Sequence, residues 1–125
     1  MTTTLHERIR FRIDVLSAIA TAATPGPWEY ATVRGVTSVG APGVLPSVAA
    51  DVHFDADVHY LVAFSPAVTL PWLAGELEVL ERHRPVGAVD PICAACSDLD
   101  LGQCRIDDCP EIRSLASRLG VSVDG

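Results

Sequence analysis

Four cysteines, Cys93, Cys96, Cys104 and Cys109, fall within seventeen residues near the C-terminus of a 125-residue chain that contains no others. Thiolates at this density suit one zinc ion, which takes four sulfur or nitrogen ligands in a tetrahedron. Cys93-Ala94-Ala95-Cys96 has the C-x2-C spacing whose short reach lets two sulfurs hold one ion. Cys104 and Cys109 return the second pair after seven intervening residues, with the Asp98–Asp100 stretch and Gly102 to turn the chain. Cys109 directly precedes Pro110, which places its sulfur at a helix N-terminus, where the dipole favours a thiolate. His83, ten residues before Cys93, is an alternative to Cys104 that would make the set Cys3His. Either set is closed, with no position left for water, so the expected metal is structural. The loop between the pairs is shorter than the ~12–20 residues usual between zinc half-sites, so two disulfides or unligated thiols are the plain alternative. A redox C-x-x-C would require a surrounding βαβ pattern, which the sequence lacks.

Asp51, His53, Asp55, Asp57 and His59 form the other stretch with chemistry in its residue types. Carboxylate and imidazole ligands that leave a coordination position open would make a hydrolytic metal site. The spacing matches neither H-E-x-x-H nor a calcium loop, and Asp55 or Asp57 has the simpler role of capping the helix that follows. No nucleophile–base pairing and no phosphate loop can be assembled elsewhere, so no catalytic residue is assigned.

Charge narrows the partners. The formal net charge is −7, with nine basic residues, all arginine, against sixteen acidic ones. That balance disfavours both nucleic acid and anionic membrane surfaces. It leaves open an acidic mimic of nucleic acid that blocks a DNA-binding protein, which would need its carboxylates on one face. The N-terminus has no secretory apolar region and no stretch reaches the ~18 apolar residues of a membrane span, so a cytoplasmic protein is expected. In a reducing compartment, close-spaced cysteines are more often metal ligands than disulfides.

The elements that must position these residues follow from periodicity. Leu5, Ile9, Ile13, Leu16, Ile19 and Ala23 recur at helical spacing, and Thr4 with Glu7 has capping-box spacing, predicting a helix over 5–23. Arg8, Arg10 and Arg12 lie off that stripe as a solvated face. Thr24-Pro25-Gly26-Pro27 stops the helix, and Trp28 is placed to plug one end of a core. Strands are expected at 29–33, 36–39 and 44–52, with turns at Arg34-Gly35 and 40–43 and an interruption at Pro46. They would form an antiparallel meander covered by the first helix.

Helices are then predicted over 57–64, with Val58, Leu61 and Val62 inward, and from Ser65-Pro66 to Arg82, bent at Pro71. In the second, Leu70, Leu73, Leu77 and Leu80 face the core, or a homodimer seam, and Glu76, Glu78, Glu81 and Arg82 face outward. Residues 85–91 read as a linker. A last helix over 110–119 opens at Pro110 and closes at Gly120, with a frayed tail beyond. The expected fold is α+β: about three antiparallel strands packed with N-terminal and central helices, plus a zinc-stapled C-terminal segment with a short helix. The division is 1–84 for the α+β core and 85–125 for the cysteine segment, within one cooperative domain.

Ala23-Thr24-Pro25-Gly26-Pro27-Trp28 after an N-terminal helix, followed by Tyr60-Leu61-Val62-Ala63 and Ser65-Pro66-Ala67 before a Leu-rich helix, resembles the Ead-like early proteins of phages and prophages. The chain also resembles an uncharacterised family of small actinobacterial and actinophage proteins that carry a C-x2-C and a Cys-Pro before a closing helix, here Cys93, Cys96, Cys109 and Pro110. His83 falls where that family often has a histidine; Cys104 and Pro71 depart from its pattern. The resemblance implies a phage-type accessory protein with a host or phage protein as partner, and no catalytic residue.

Overall fold

A computed structural model describes residues 3–97 and 102–124. The fold is α+β. In chain order it runs α1 (Leu5–Ala22), β1 (Glu29–Val33), β2 (Val36–Ala41), β3 (Val44–Ala49), α2 (Asp55–Ala63), α3 (Pro66–Arg82), β4 (Pro85–Val86), β5 (Ile92–Cys93), a 3-10 turn (Ile106–Asp108) and α4 (Pro110–Arg118). The chain divides into two compact units, one of Met1–Leu16 with Leu73–Gly125, the other of Ser17–Trp72. The end of α3 therefore lies in the same unit as the cysteine segment.

In the first unit, α1 begins as its sequence dictates. The Glu7 amide donates to Thr4 Oγ1 at 3.1 Å, and the Thr4 amide donates to Glu7 Oε2 at 2.8 Å, which satisfies both orphan donors of the capping box. Leu5, Ile9 and Ile13 are buried together with Leu73, Leu80, Ile106, Ile112, Leu115, Ala116 and Leu119. Helix α4 closes through a Schellman motif: Val121 N donates to Ala116 O at 2.8 Å and Gly120 N donates to Ser117 O, with Gly120 at φ 70°. Val121 and Val123 pack on the core, so the tail expected to fray is held over those residues.

Two expectations about polar faces change here. Arg8, Arg10 and Arg12 do not form a free basic face. Arg8 donates to Ser122 O, Arg10 pairs with Glu81, and Arg12 Nε donates to Leu119 O at the end of α4. Glu76, placed outward by periodicity, is buried and pairs with Arg118 Nε at 3.0 Å. A charge on the inner edge of a helix is tolerated where a guanidinium from the neighbouring helix meets it.

In the second unit, β1, β2 and β3 form an antiparallel meander in that order. Arg34 and Gly35 turn β1 into β2 with φ of 53° and 78°, the two positive values of a type I′ hairpin turn. The register slips between Val39 and Ala41, opposite the part of β3 that contains Pro46, a residue that cannot complete a ladder. The helix on this sheet is α2, packed against β1 and β2, where α1 had been expected. Its Val58 is buried, as is Val39 of β2.

Ile19 is 61% exposed, because the buried position after Leu16 falls at Ala20, four residues on. Trp28 is half-buried, and its indole N–H donates to Thr24 O at 2.8 Å. Among the described residues no single helix is both long and apolar enough to cross a membrane.

Candidate metal centre

Three local structures of the first unit bring four ligand atoms together. The His83 amide donates to Val79 O at 3.1 Å, so the last turn of α3 fixes where the imidazole starts. After it, β4 and β5 pair antiparallel, Pro85 with Cys93 and Val86 with Ile92, in the segment read from sequence as a linker. A turn over Ala94–Cys96 leaves β5, and Ser97 N donates back to Cys93 O at 3.1 Å, which curls the C-x2-C loop over its own two sulfurs. Cys109 is the N-cap of α4, with φ −61° and ψ 120°, and Pro110 follows at the first helical position. The 3-10 turn before it is tied in by Asp107, whose Oδ1 accepts from Leu5 N at the start of α1.

Nδ1 of His83 lies 3.3 Å from Cys93 Sγ and 3.4 Å from each of Cys96 Sγ and Cys109 Sγ. Cys96 Sγ and Cys109 Sγ are 3.6 Å apart, and all four atoms lie within 4.8 Å of one another. A tetrahedral ion with sulfur at about 2.3 Å and nitrogen at about 2.0 Å would set sulfur pairs about 3.8 Å apart and nitrogen–sulfur pairs about 3.5 Å apart. The observed edges fit that figure. A sulfur pair at 3.6 Å is far beyond the ~2.05 Å of a disulfide, and all four cysteines are free. His83, Cys93, Cys96 and Cys109 can thus hold a metal ion, and they suit a tetrahedral one such as zinc. Four protein ligands leave such an ion no open position.

Cys93 and Cys109 are fully buried; Cys96 and His83 are partly so. Burial, then the neighbouring Cys109 and Cys93 thiols, push the Cys96 thiol up to about 12 in the metal-free protein. Sulfurs that crowd one another without a cation resist becoming thiolates, which is the environment a divalent ion relieves.

Of the two residues expected for the fourth position, Cys104 stands outside this group and its alternative, His83, lies within it. Cys104 Sγ lies 3.5 Å from Arg105 O. Burial first, then the charges of the Cys109 and Cys93 thiols, raise its thiol as well. The physical reason for the exchange is the β4–β5 hairpin, which folds the end of α3 back onto the knuckle and delivers His83. Two-residue strands carry too little pattern to be read from sequence. The Asp98–Asp100 turn lies outside the described residues.

The second candidate stretch does not assemble. Asp51 Oδ2 and His53 Nε2 are 3.6 Å apart on exposed side chains. His59 meets the Tyr30 ring edge-on at 5.8 Å. Asp55 and Asp57 occupy the first turn of α2, and Phe54, without a side-chain bond, takes the N-cap position that had been expected of one of them. Among the described residues, the His83–Cys109 group is the one whose ligand atoms converge. No family model, curated protein or solved structure matches the chain.

Proposed function

We propose that this chain is a non-enzymatic accessory protein of the phage and prophage type, built around one structural zinc ion and acting by binding another protein. The observation that carries the zinc reading is the closed tetrahedron of His83 Nδ1 and the sulfurs of Cys93, Cys96 and Cys109. Three thiolates and an imidazole match the borderline-soft character of zinc, and a filled coordination sphere has no place for a substrate or an activated water. Free, closely packed thiols suit a reducing cytoplasm.

The interaction reading draws support from the second unit. Tyr60 of α2 and Phe64, the C-cap residue of that helix, have ring centroids 4.7 Å apart while 64% and 54% exposed, and Trp72 of α3 is 41% exposed. Large apolar side chains left in water at helical spacing are characteristic of contact surfaces. The net charge of −7 turns such a surface toward protein rather than nucleic acid. The Thr24–Trp28 stretch and the Cys-Pro pair support the phage-type assignment, with a host or phage protein as partner.

Elemental analysis tests the site. One zinc per chain should survive His53→Ala and His59→Ala and vanish with Cys93→Ser. A metal lost with His53 and His59 but retained in Cys93→Ser would replace this reading with a hydrolytic one. A chain that takes up no zinc would remove the structural role altogether.

A further inference from the structure

Cys104 is the thiol that the metal group leaves over, and the backbone places it with care. Ile92 bridges Arg105 in antiparallel sense, Cys93 N donates to Cys104 O at 2.7 Å, and Ile106 N donates to Pro91 O at 2.9 Å. Cys104 is therefore the cross-strand neighbour of Cys93, with both side chains on one face of the ladder. Antiparallel neighbours at such a position have Cα atoms roughly 5.5 Å apart, inside the ~4.4–6.8 Å range that a disulfide spans. Ser97 Oγ accepts from Cys104 N at 3.2 Å and donates to Cys104 O at 3.3 Å, which fixes the backbone beneath the thiol. The Cys104 thiol is partly exposed.

We propose that Cys104 is a modification site: a peroxide joins it to Cys93 in a disulfide, which removes one ligand from the metal and releases the ion. The inference rests on the zinc reading above. In the first step the Cys93 sulfur attacks one peroxide oxygen; an S–O bond forms, the O–O bond breaks, and hydroxide leaves as water after taking a proton. In the second, the Cys104 sulfur attacks the Cys93 sulfenic sulfur; the S–S bond forms, the S–O bond breaks, and a second water carries off the Cys104 proton. The two sulfurs together lose two electrons and the peroxide gains them. Cys93 then has no lone thiolate to give, and three ligands remain around the ion. Thiol reductants reverse the disulfide, whereas a sulfenic acid left without a partner goes on to sulfinic acid, which they do not reverse.

The test uses the full chain loaded with zinc. Before peroxide is added, the chain and its Cys104→Ser variant should each hold one zinc, because that substitution leaves all four ligands in place. No zinc at this stage overturns the zinc reading and this inference with it. Hydrogen peroxide is then added, released zinc is measured with a colorimetric chelator, and disulfides are mapped by mass spectrometry of peptides. The expected result is zinc release with a Cys93–Cys104 disulfide and recovery of zinc binding after a thiol reductant. In Cys104→Ser the recovery should fall several-fold, with sulfinic acid at Cys93. Equal recovery in the two proteins overturns the proposal, as does a disulfide in any other pair with Cys104 still open to alkylation.

Discussion

If the four residues hold zinc as proposed, replacing Cys109 by serine while leaving the rest of the chain intact should remove most of the stability that the ion would confer. Cys109 is fully buried at the N-cap of α4, and that helix contributes Ile112, Leu115, Ala116 and Leu119 to the core of the first unit. An ion held by these four residues would tie this N-cap to the end of α3 through His83 and to the knuckle through Cys93 and Cys96. Free zinc at a hundred times its dissociation constant stabilises the folded state by about 2.7 kcal/mol. For a unit of this size that is a rise in Tm of about 10–20 °C. A supporting residue behind a metal ligand is worth 10–100-fold in affinity, so loss of a ligand should cost at least about a hundredfold. At the same zinc concentration, the variant would then sit near its own dissociation constant and gain about 0.4 kcal/mol, or about 2–3 °C. The assay is thermal unfolding by circular dichroism with buffered zinc and with chelator, each protein compared with its own metal-free form. Cys104→Ser should keep the full rise. A full rise in Cys109→Ser, or no rise in the unmodified chain, would refute the reasoning.

Zinc affinity should fall with pH, by about tenfold per unit for the Cys96 thiol alone, because that thiol is held protonated to about 12 and the metal must displace its proton; competition with a chromophoric chelator from pH 8 to 6 reads the slope. In the metal-free protein the same thiol is raised above its ordinary 9.0, so its contribution is fully present below that pH and is lost as pH climbs toward about 12, a loss that urea titrations of the chelated protein should show. Arg118→Ala leaves buried Glu76 without its cation; with the arginine side chain 41% exposed, the cost is discounted to roughly 1–3 kcal/mol, and a double-mutant cycle with Glu76→Gln should recover part of it. Ile112→Ala, at a fully buried position, should cost about 2–5 kcal/mol in urea unfolding of the zinc-loaded chain.

The features that were legible in the sequence are those carried by several residues acting in register. The capping box of Thr4 and Glu7, the Leu5–Ile9–Ile13 stripe, the Arg34-Gly35 turn and the Pro110-to-Gly120 frame of α4 each combine a local rule with a period, and each appears in the structure. The convergence of Cys93, Cys96 and Cys109 was legible for a similar reason: a knuckle spacing and an N-cap position constrain where their sulfurs can be. The fourth corner was not fixed in this way. Cys104 and His83 fit by sequence distance alike, and what separates them is tertiary. The two-residue strands β4 and β5 turn the chain so that α3 ends on the knuckle, while the ladder to Arg105 holds Cys104 beside the group instead of within it. Glu76 shows the same limit, since its helical phase puts it at the edge of the apolar stripe and only the approach of Arg118 decides that it is buried. A thiol left over beside the four converging ligand atoms is therefore a consequence of strand pairing rather than of cysteine spacing. The ladder, accordingly, is the place where a change of sequence would redirect the site: a proline at position 106, which removes the bond from Ile106 N to Pro91 O, would free Cys104 to compete with His83 for a metal ion.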